Sequence, residues 1–309
     1  MRHWNPASDT PARLRVIYLI LLSTFGLVAL YSGLLSLLWR FQERVVFQPP
    51  TAPPTEVPAK RVAFRASDGV HLFAYVVGDC GDAASARRRT VMLAFHGNAD
   101  VARWLVPWAS AAARETGACV VLPEYRGYDG ADGSPTYAAS ALDARAALDF
   151  IRDTMHVSTA DMVFFGHSLG SAVAAELAAA ETPRALVLQS PFSSARDMAA
   201  RMFVPGLTLF WTMISRVHFD TLGRVHKLHA PVWVAHGDRD LVIPVRMGRE
   251  VYAAAAEKGR LLIVHGAGHN NVAEVGGRDY WSWLTSAVRE ASVDAPGAPT
   301  VPDARAETR

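Results

Sequence analysis

The stretch Phe164-Phe165-Gly166-His167-Ser168-Leu169-Gly170-Ser171-Ala172 admits few folds. An apolar run from Met162 to Phe165 enters a turn with glycine on both sides of a serine. Ala172 to Ala180 then has helical composition. Gly166-x-Ser168-x-Gly170 is the pattern of a nucleophile elbow, a sharp strand-to-helix turn that holds its serine in a strained backbone conformation. A Cβ on either flanking residue would collide with the crossing strand and helix. Such a turn lifts Ser168 Oγ out of a sheet and sets the Leu169 N–H at a helix N-terminus, where an oxyanion is stabilised.

The rest of the chain supplies the sheet. Lys60–Ala66 and Val70–Val77 read as strands around the Ser67-Asp68-Gly69 turn, a hairpin signal. Thr90–Phe95, Ala118–Leu122, the elbow strand, Ala185–Gln189, Val232–Ala235 and Arg260–Val264 are short apolar runs, as expected of strands covered on both faces. Helical stretches lie between them at about Asp100–Glu115, Pro135–Asp153 and Pro244–Ala256, and Asp279–Ala291 closes the chain. This alternation predicts an α/β fold with a mostly parallel sheet and helices on both faces. It breaks once, at Pro191–Phe219. That insertion is rich in methionine and aromatic residues (Met198, Met202, Phe203, Phe210, Trp211, Met213) and suits either a lid over an acyl pocket or simple packing over the sheet.

The N-terminal part has a different composition. Val16 to Trp39 carries no charge and is bounded by Arg15 and Arg40. As a helix it would be roughly 36 Å long, enough to cross a hydrocarbon core of roughly 30 Å. It is too long for a signal-peptide apolar region, and no A-x-A site follows it. The expected organisation is therefore a tail at 1–15, a transmembrane anchor at 16–39 and a proline-rich linker at 40–60. A catalytic domain at 61–292 carries the 191–219 insertion, and 293–309 is a disordered tail. Arg2, Arg13 and Arg15 before the span against Arg40 and Arg44 after it favour a cytoplasmic N-terminus. The catalytic domain is then expected on the non-cytoplasmic side, periplasmic in a bacterium.

A net charge of +2 gives no reason to expect a nucleic-acid partner, and Arg87-Arg88-Arg89 reads as a solvated loop. The two cysteines, Cys80 and Cys119, form no C-x-x-C, and Cys119 in its apolar strand reads as a small buried hydrophobe. His226-x-x-His229 lacks a neighbouring carboxylate or cysteine, so no metal site and no cofactor is expected.

A serine hydroxyl needs a base beside it and a carboxylate to orient that base. Two loops after predicted strands offer them in the chain order of an elbow hydrolase. The first is His236-Gly237-Asp238-Arg239-Asp240-Leu241, where Asp240 is favoured because Asp238 sits at the strand end and can cap the turn. The second is His265-Gly266-Ala267-Gly268-His269-Asn270, where His269 stands in a glycine loop and His265 at the strand end reads as structural. The loop Phe95-His96-Gly97-Asn98-Ala99 follows the first buried parallel strand. It is expected to give a second oxyanion N–H, from Asn98 with Ala99 as the fallback, and Asn98 or Asp100 can also cap the next helix. In Glu124-Tyr125-Arg126-Gly127-Tyr128, Arg126 is expected in a structural ion pair.

Together the N-terminal apolar span, Phe47-Gln48-Pro49, His96-Gly97-Asn98-Ala99, Tyr125-Arg126-Gly127-Tyr128, Gly166-His167-Ser168-Leu169-Gly170, His236-Gly237-Asp238-x-Asp240 and Gly268-His269-Asn270 resemble the membrane-associated α/β-hydrolase-domain serine hydrolases. That group includes the animal protein depalmitoylases and related yeast and bacterial anchored hydrolases. The resemblance runs over roughly residues 40 to 290 and implies a Ser168–Asp240–His269 triad. Glu124, Asp129 and Asn271 depart from it, standing where relatives commonly have Asp, Gly and Asp. The cysteine-rich N-terminus of the depalmitoylases is absent. The expectation is a membrane-anchored serine hydrolase acting on an ester or thioester, with Leu169 and Asn98 N–H groups facing the oxyanion. The alternatives are a peptidase or amidase on the same fold and a non-catalytic membrane-tethered interaction module.

Overall fold

In the computed structural model the chain divides into two units, Met1–Val46 and Phe47–Arg309. The structure describes residues 10–51, 53, 55–80, 90–202 and 205–290. The expected extreme N-terminus, the arginine run at 87–89 and the C-terminal tail fall outside these residues.

The first unit is one helix, α1 (Thr10–Val46). Most of its apolar side chains stand exposed, Phe25 and Leu30 at 73% and 72%, though Leu35 is buried. By length and composition it could cross a membrane. The sequence reading placed the proline-rich linker from residue 40; the helix instead runs on through Val46. The reason is local: 41–46 contain no proline, and Pro49 is the first residue to forbid further helix.

The second unit is built on an eight-stranded sheet in the order β1-β2-β4-β3-β5-β6-β7-β8. Its strands are β1 (Lys60–Arg65), β2 (His71–Val77), β3 (Val91–Phe95), β4 (Cys119–Pro123), β5 (Met162–His167), β6 (Ala185–Gln189), β7 (Val232–Gly237) and β8 (Lys258–Val264). β2 alone is reversed, pairing antiparallel with both β1 and β4; from β4 to β8 every pairing is parallel. The unbroken apolar runs at β3, β4 and β5 are buried throughout, because helices cover both faces of a parallel sheet. Helices α2 (Val106–Thr116) and α9 (Val272–Glu290) pack together over the sheet. The others in chain order are α3 (Tyr137–Met155), α4 (Leu169–Ala180), α5 (Ala195–Met202), α6 (Pro205–Ile214), α7 (Thr221–Val225) and α8 (Val245–Ala254).

The 191–219 insertion forms α5 and α6. Part of it packs down, with Trp211, Val217 and Phe219 buried, while Met202, Leu209 and Met213 are exposed.

One expectation about the core is corrected. Cys119, the first residue of β4, is buried but is no free hydrophobe; it forms a disulfide with Cys80, just beyond the end of β2. Neighbouring strands bring the two together, since Val77 lies opposite Val120 in the β2–β4 ladder. The sequence separation of 39 gave no hint of the pairing.

The sheet places the site. The chain runs from β3 to β4 on one side, then crosses to β5 on the other. Ligands of such sheets bind beyond the carboxyl ends of the strands, where this reversal opens a crevice. The loops after β3, β5, β7 and β8 carry Asn98, Ser168, Asp240 and His269.

Candidate active site

Ser168 joins β5 to α4, with φ 53° and ψ −116°. A non-glycine residue at positive φ costs about 1–3 kcal/mol and persists only when its surroundings impose it. The surroundings here are tight. A Cβ on Gly166 would stand 2.2 Å from the Gly170 carbonyl oxygen, and one on Gly170 would stand 2.2 Å from the Phe95 carbonyl oxygen. Both glycines are therefore required by close approach of backbone to backbone. The Ser168 N–H donates to Gln189 O at 3.0 Å, which ties the turn to β6.

Three of the residues singled out in the sequence come together in line. His269 Nε2 lies 2.9 Å from Ser168 Oγ, and His269 Nδ1 lies 2.7 Å from Asp240 Oδ2. A histidine whose Nδ1–H donates to a carboxylate presents its Nε2 lone pair to the hydroxyl, the tautomer a general base needs. The side chain of Asp240 is fully buried. Burial works against its ionisation, but hydrogen bonds from His236 and His269, the nearby His269 ring and the Ile243 N–H outweigh it and hold the carboxyl well below the usual range. Its Oδ1 accepts from the N–H groups of Val242 and Ile243, both at 2.8 Å.

Asp238 stays out of the line, but it reaches across to the next loop rather than capping its own turn, the role expected of it. It accepts from the Gly266 N–H at 2.7 Å and meets His265 Nδ1 at 2.9 Å, so it clasps the β7 loop to the β8 loop away from His269. Sequence reasoning missed His236. Its Nε2 lies 2.9 Å from Ile243 O and 3.3 Å from Asp240 Oδ2, so the acid is flanked by a second, fully buried imidazole. The one available signal was its place at the strand end four residues before Asp240. Asn271 was seen only as a departure from the resemblance, yet its Oδ1 accepts from the Gly268 N–H at 2.7 Å and shapes the turn that carries His269.

His167 packs beneath the elbow, with Nε2 3.3 Å from His269 O. Burial, then the nearby His269 ring, lowers its pKa to about 4, so it stays neutral. The loop after β3 borders the serine: a Cβ on Gly97 would stand 3.4 Å from Ser168 Cβ. Both ring nitrogens of His96 lie 2.8 Å from oxygen atoms, Gly97 O and Glu124 Oε1. Burial pulls the His96 pKa down, but the Glu124 carboxylate outweighs it and leaves the ring above its ordinary value. Arg126 pairs with Asp143 and Asp68, the structural role expected of it.

The family model described as alpha/beta hydrolase fold matches residues 90–211. An uncharacterised protein of Mycobacterium tuberculosis is 34% identical over 267 residues, 83% of this chain and 91% of that protein. The chain belongs to the α/β-hydrolase family. It is a hydrolase by that membership. Protein bem46 of Schizosaccharomyces pombe is 28% identical over 69% of this chain and 78% of its own length. The lysophosphatidylserine lipase ABHD12 of Danio rerio is 28% identical over 45% of this chain and 40% of its own. Among solved structures, an esterase of Pyrococcus furiosus superposes with a TM-score of 0.62 over 79% of this chain and 98% of that one. At 19% identity this is a likeness of fold.

Proposed function

We propose that the protein is a membrane-anchored serine hydrolase that cleaves a carboxylic ester or thioester through Ser168, His269 and Asp240. Ser168 Oγ attacks the acyl carbonyl while His269 Nε2 takes its proton, and Asp240 stabilises the imidazolium that forms. The oxyanion of the tetrahedral intermediate is held by the N–H groups of Leu169 and Asn98. When it collapses, His269 returns the proton to the departing alcohol or thiol, leaving an acyl group on Ser168. Water then attacks that ester, again losing its proton to His269, and frees the acid and the serine.

The observation that carries this reading is the hydrogen-bonded line at 2.9 and 2.7 Å ending on a serine in a strained turn. An acyl-chain substrate is supported by the exposed apolar residues of the insertion and by Leu241 and Val242, directly after Asp240 and 91% and 54% exposed. A lysophosphatidylserine lipase among the relatives points the same way.

Membrane attachment rests on α1, and the side of the membrane rests on two features. Arginines flank the apolar span more heavily at its N-terminal side, and a structural disulfide belongs to oxidising compartments. We therefore assign the hydrolase domain to the non-cytoplasmic side.

The test is labelling of the full chain with a fluorophosphonate, followed by turnover of p-nitrophenyl esters of increasing acyl length beside matched amides. The wild type labels and hydrolyses esters, and Ser168→Ala does neither. Labelling that persists in Ser168→Ala would refute the assignment.

A further inference from the structure

Phe47-Gln48-Pro49 was noticed only as part of a resemblance, and its place in the fold gives it work. Phe47 is buried, with its ring 6.4 Å from Phe219 at the end of the insertion. The next residue donates its backbone N–H to Asn98 Oδ1 at 2.9 Å. The same oxygen accepts from the hydroxyl of Tyr128, also at 2.9 Å, and Tyr128 is wholly buried. An amide oxygen has two lone pairs, so two donors can fill it. They come from segments 50 and 30 residues away in sequence.

The loop needs such holding. Ala99 sits at φ 51°, a left-handed conformation that an alanine adopts only when constrained. From the other side the Tyr125 hydroxyl donates to His96 O at 3.0 Å, and Glu124 grips His96 and the Ala102 N–H. The 96–99 loop is thus pinned at both ends, and the pin at Asn98 is supplied by the chain as it leaves α1.

We propose that Gln48, through its backbone N–H, and Tyr128, through its hydroxyl, are positioning residues for the oxyanion loop. The segment following the apolar helix would then serve the reaction as well as attachment. The inference rests on the hydrolase reading above. Losing either donor loosens the hold on Asn98 Oδ1, the Ala99 strain relaxes, and the Asn98 N–H drifts from the oxyanion. Ground-state binding of an ester barely uses that N–H, so the loss falls on kcat.

The experiment uses the full-length chain in detergent, with active sites counted by fluorophosphonate burst. Three variants are compared: Tyr128→Phe, which keeps the ring; Gln48→Pro, which removes that N–H but also fixes φ at 48 and restricts Phe47; and Asn98→Ala, which removes the shared acceptor but keeps its own N–H. Each is expected to lower kcat per titrated site about tenfold, a fraction of the 10²–10³ that follows loss of an oxyanion donor, with KM changed less than about threefold. Tyr128→Phe placed on Asn98→Ala should add nothing, because both act through one oxygen. A kcat within twofold of wild type in folded Tyr128→Phe and Asn98→Ala overturns the inference, as do losses that simply multiply in the double variant. A wild type that neither labels nor turns over ester sinks the hydrolase reading and this inference with it. An active wild type with unchanged variants sinks this inference alone.

Discussion

Cutting the Cys80–Cys119 link gives the clearest stability test. The bond closes a loop with a sequence separation of 39. In the chain-entropy account, closing a loop of that size removes about 13 cal/mol/K from the unfolded ensemble, or about 4 kcal/mol at 25 °C. Each cysteine is useless without the other, so Cys80→Ala and Cys119→Ala should each lose nearly the whole amount, and the double variant little more. The competing picture is that Cys119 is a small buried hydrophobe and Cys80 a bystander. Cys119→Ala would then cost about 1 kcal/mol for lost packing, Cys80→Ala almost nothing, and the two effects would add. Equilibrium denaturant unfolding of the full chain in detergent, with and without reductant, separates the two. Thiol titration of the unfolded, unreduced protein provides an independent count. Two titratable thiols, or a Cys80→Ala variant within about 0.5 kcal/mol of wild type, would refute the reasoning and remove the disulfide's support for a non-cytoplasmic domain.

Asp240→Asn should keep the fold but lower the rate of fluorophosphonate labelling by about 10³–10⁴-fold. If the amide oxygen satisfies the Val242 and Ile243 N–H groups, its NH₂ faces His269 Nδ1 and forces the tautomer that cannot take the serine proton; labelling within tenfold of wild type would argue against that role. Stability should fall as pH drops from 6.5 towards 4. Over that window the unfolded chain takes up a proton at residue 167, while the folded His167, with its pKa lowered to about 4, does not. The loss is up to about 3 kcal/mol, and urea unfolding of His167→Gln should lack that part of the slope. His96 acts with the opposite sign: its pKa is raised, so its contribution is complete below 6.5 and is lost as pH rises through the folded value.

The elements readable from the sequence are those whose physics is local. A buried parallel strand must be apolar at every position, so β3, β4 and β5 stood out as short unbroken runs. The elbow was legible because two glycines are required within five residues, each by a steric contact under 2.5 Å. Where determinants were distant, sequence reading fell short. Nothing near Cys80 announces Cys119, and nothing in Gln48 announces Asn98; only strand order and packing bring them together. The end of α1 was misplaced because the apolar span was closed at its first charge, Arg40, although a charge does not stop a helix and the first proline does.

Asp129 and Asp240 mark the same boundary from two sides. Asp129 departs from the glycine common in the resembling family, and the fold gives the reason for that glycine: residue 129 lies at φ 44°. Aspartate tolerates this region better than most residues, and here both its carboxylate oxygens lie 2.8 Å from Arg103 Nε, which holds it in place. A backbone requirement was thus visible as a substitution without its compensating partner being visible at all. Asp240 could be chosen over Asp238 because Asp238 sits at the strand end; in the fold both reach the β8 loop, Asp238 at His265 and Gly266 and Asp240 at His269. What the spacing did not contain was the set of donors around Asp240. Two come from the loop backbone, one from His269 and one from His236. They hold the carboxyl ionised despite full burial, and a buried carboxylate without them would take up a proton instead. Chain order therefore selects the residue, and the fold makes it an acid that stays charged.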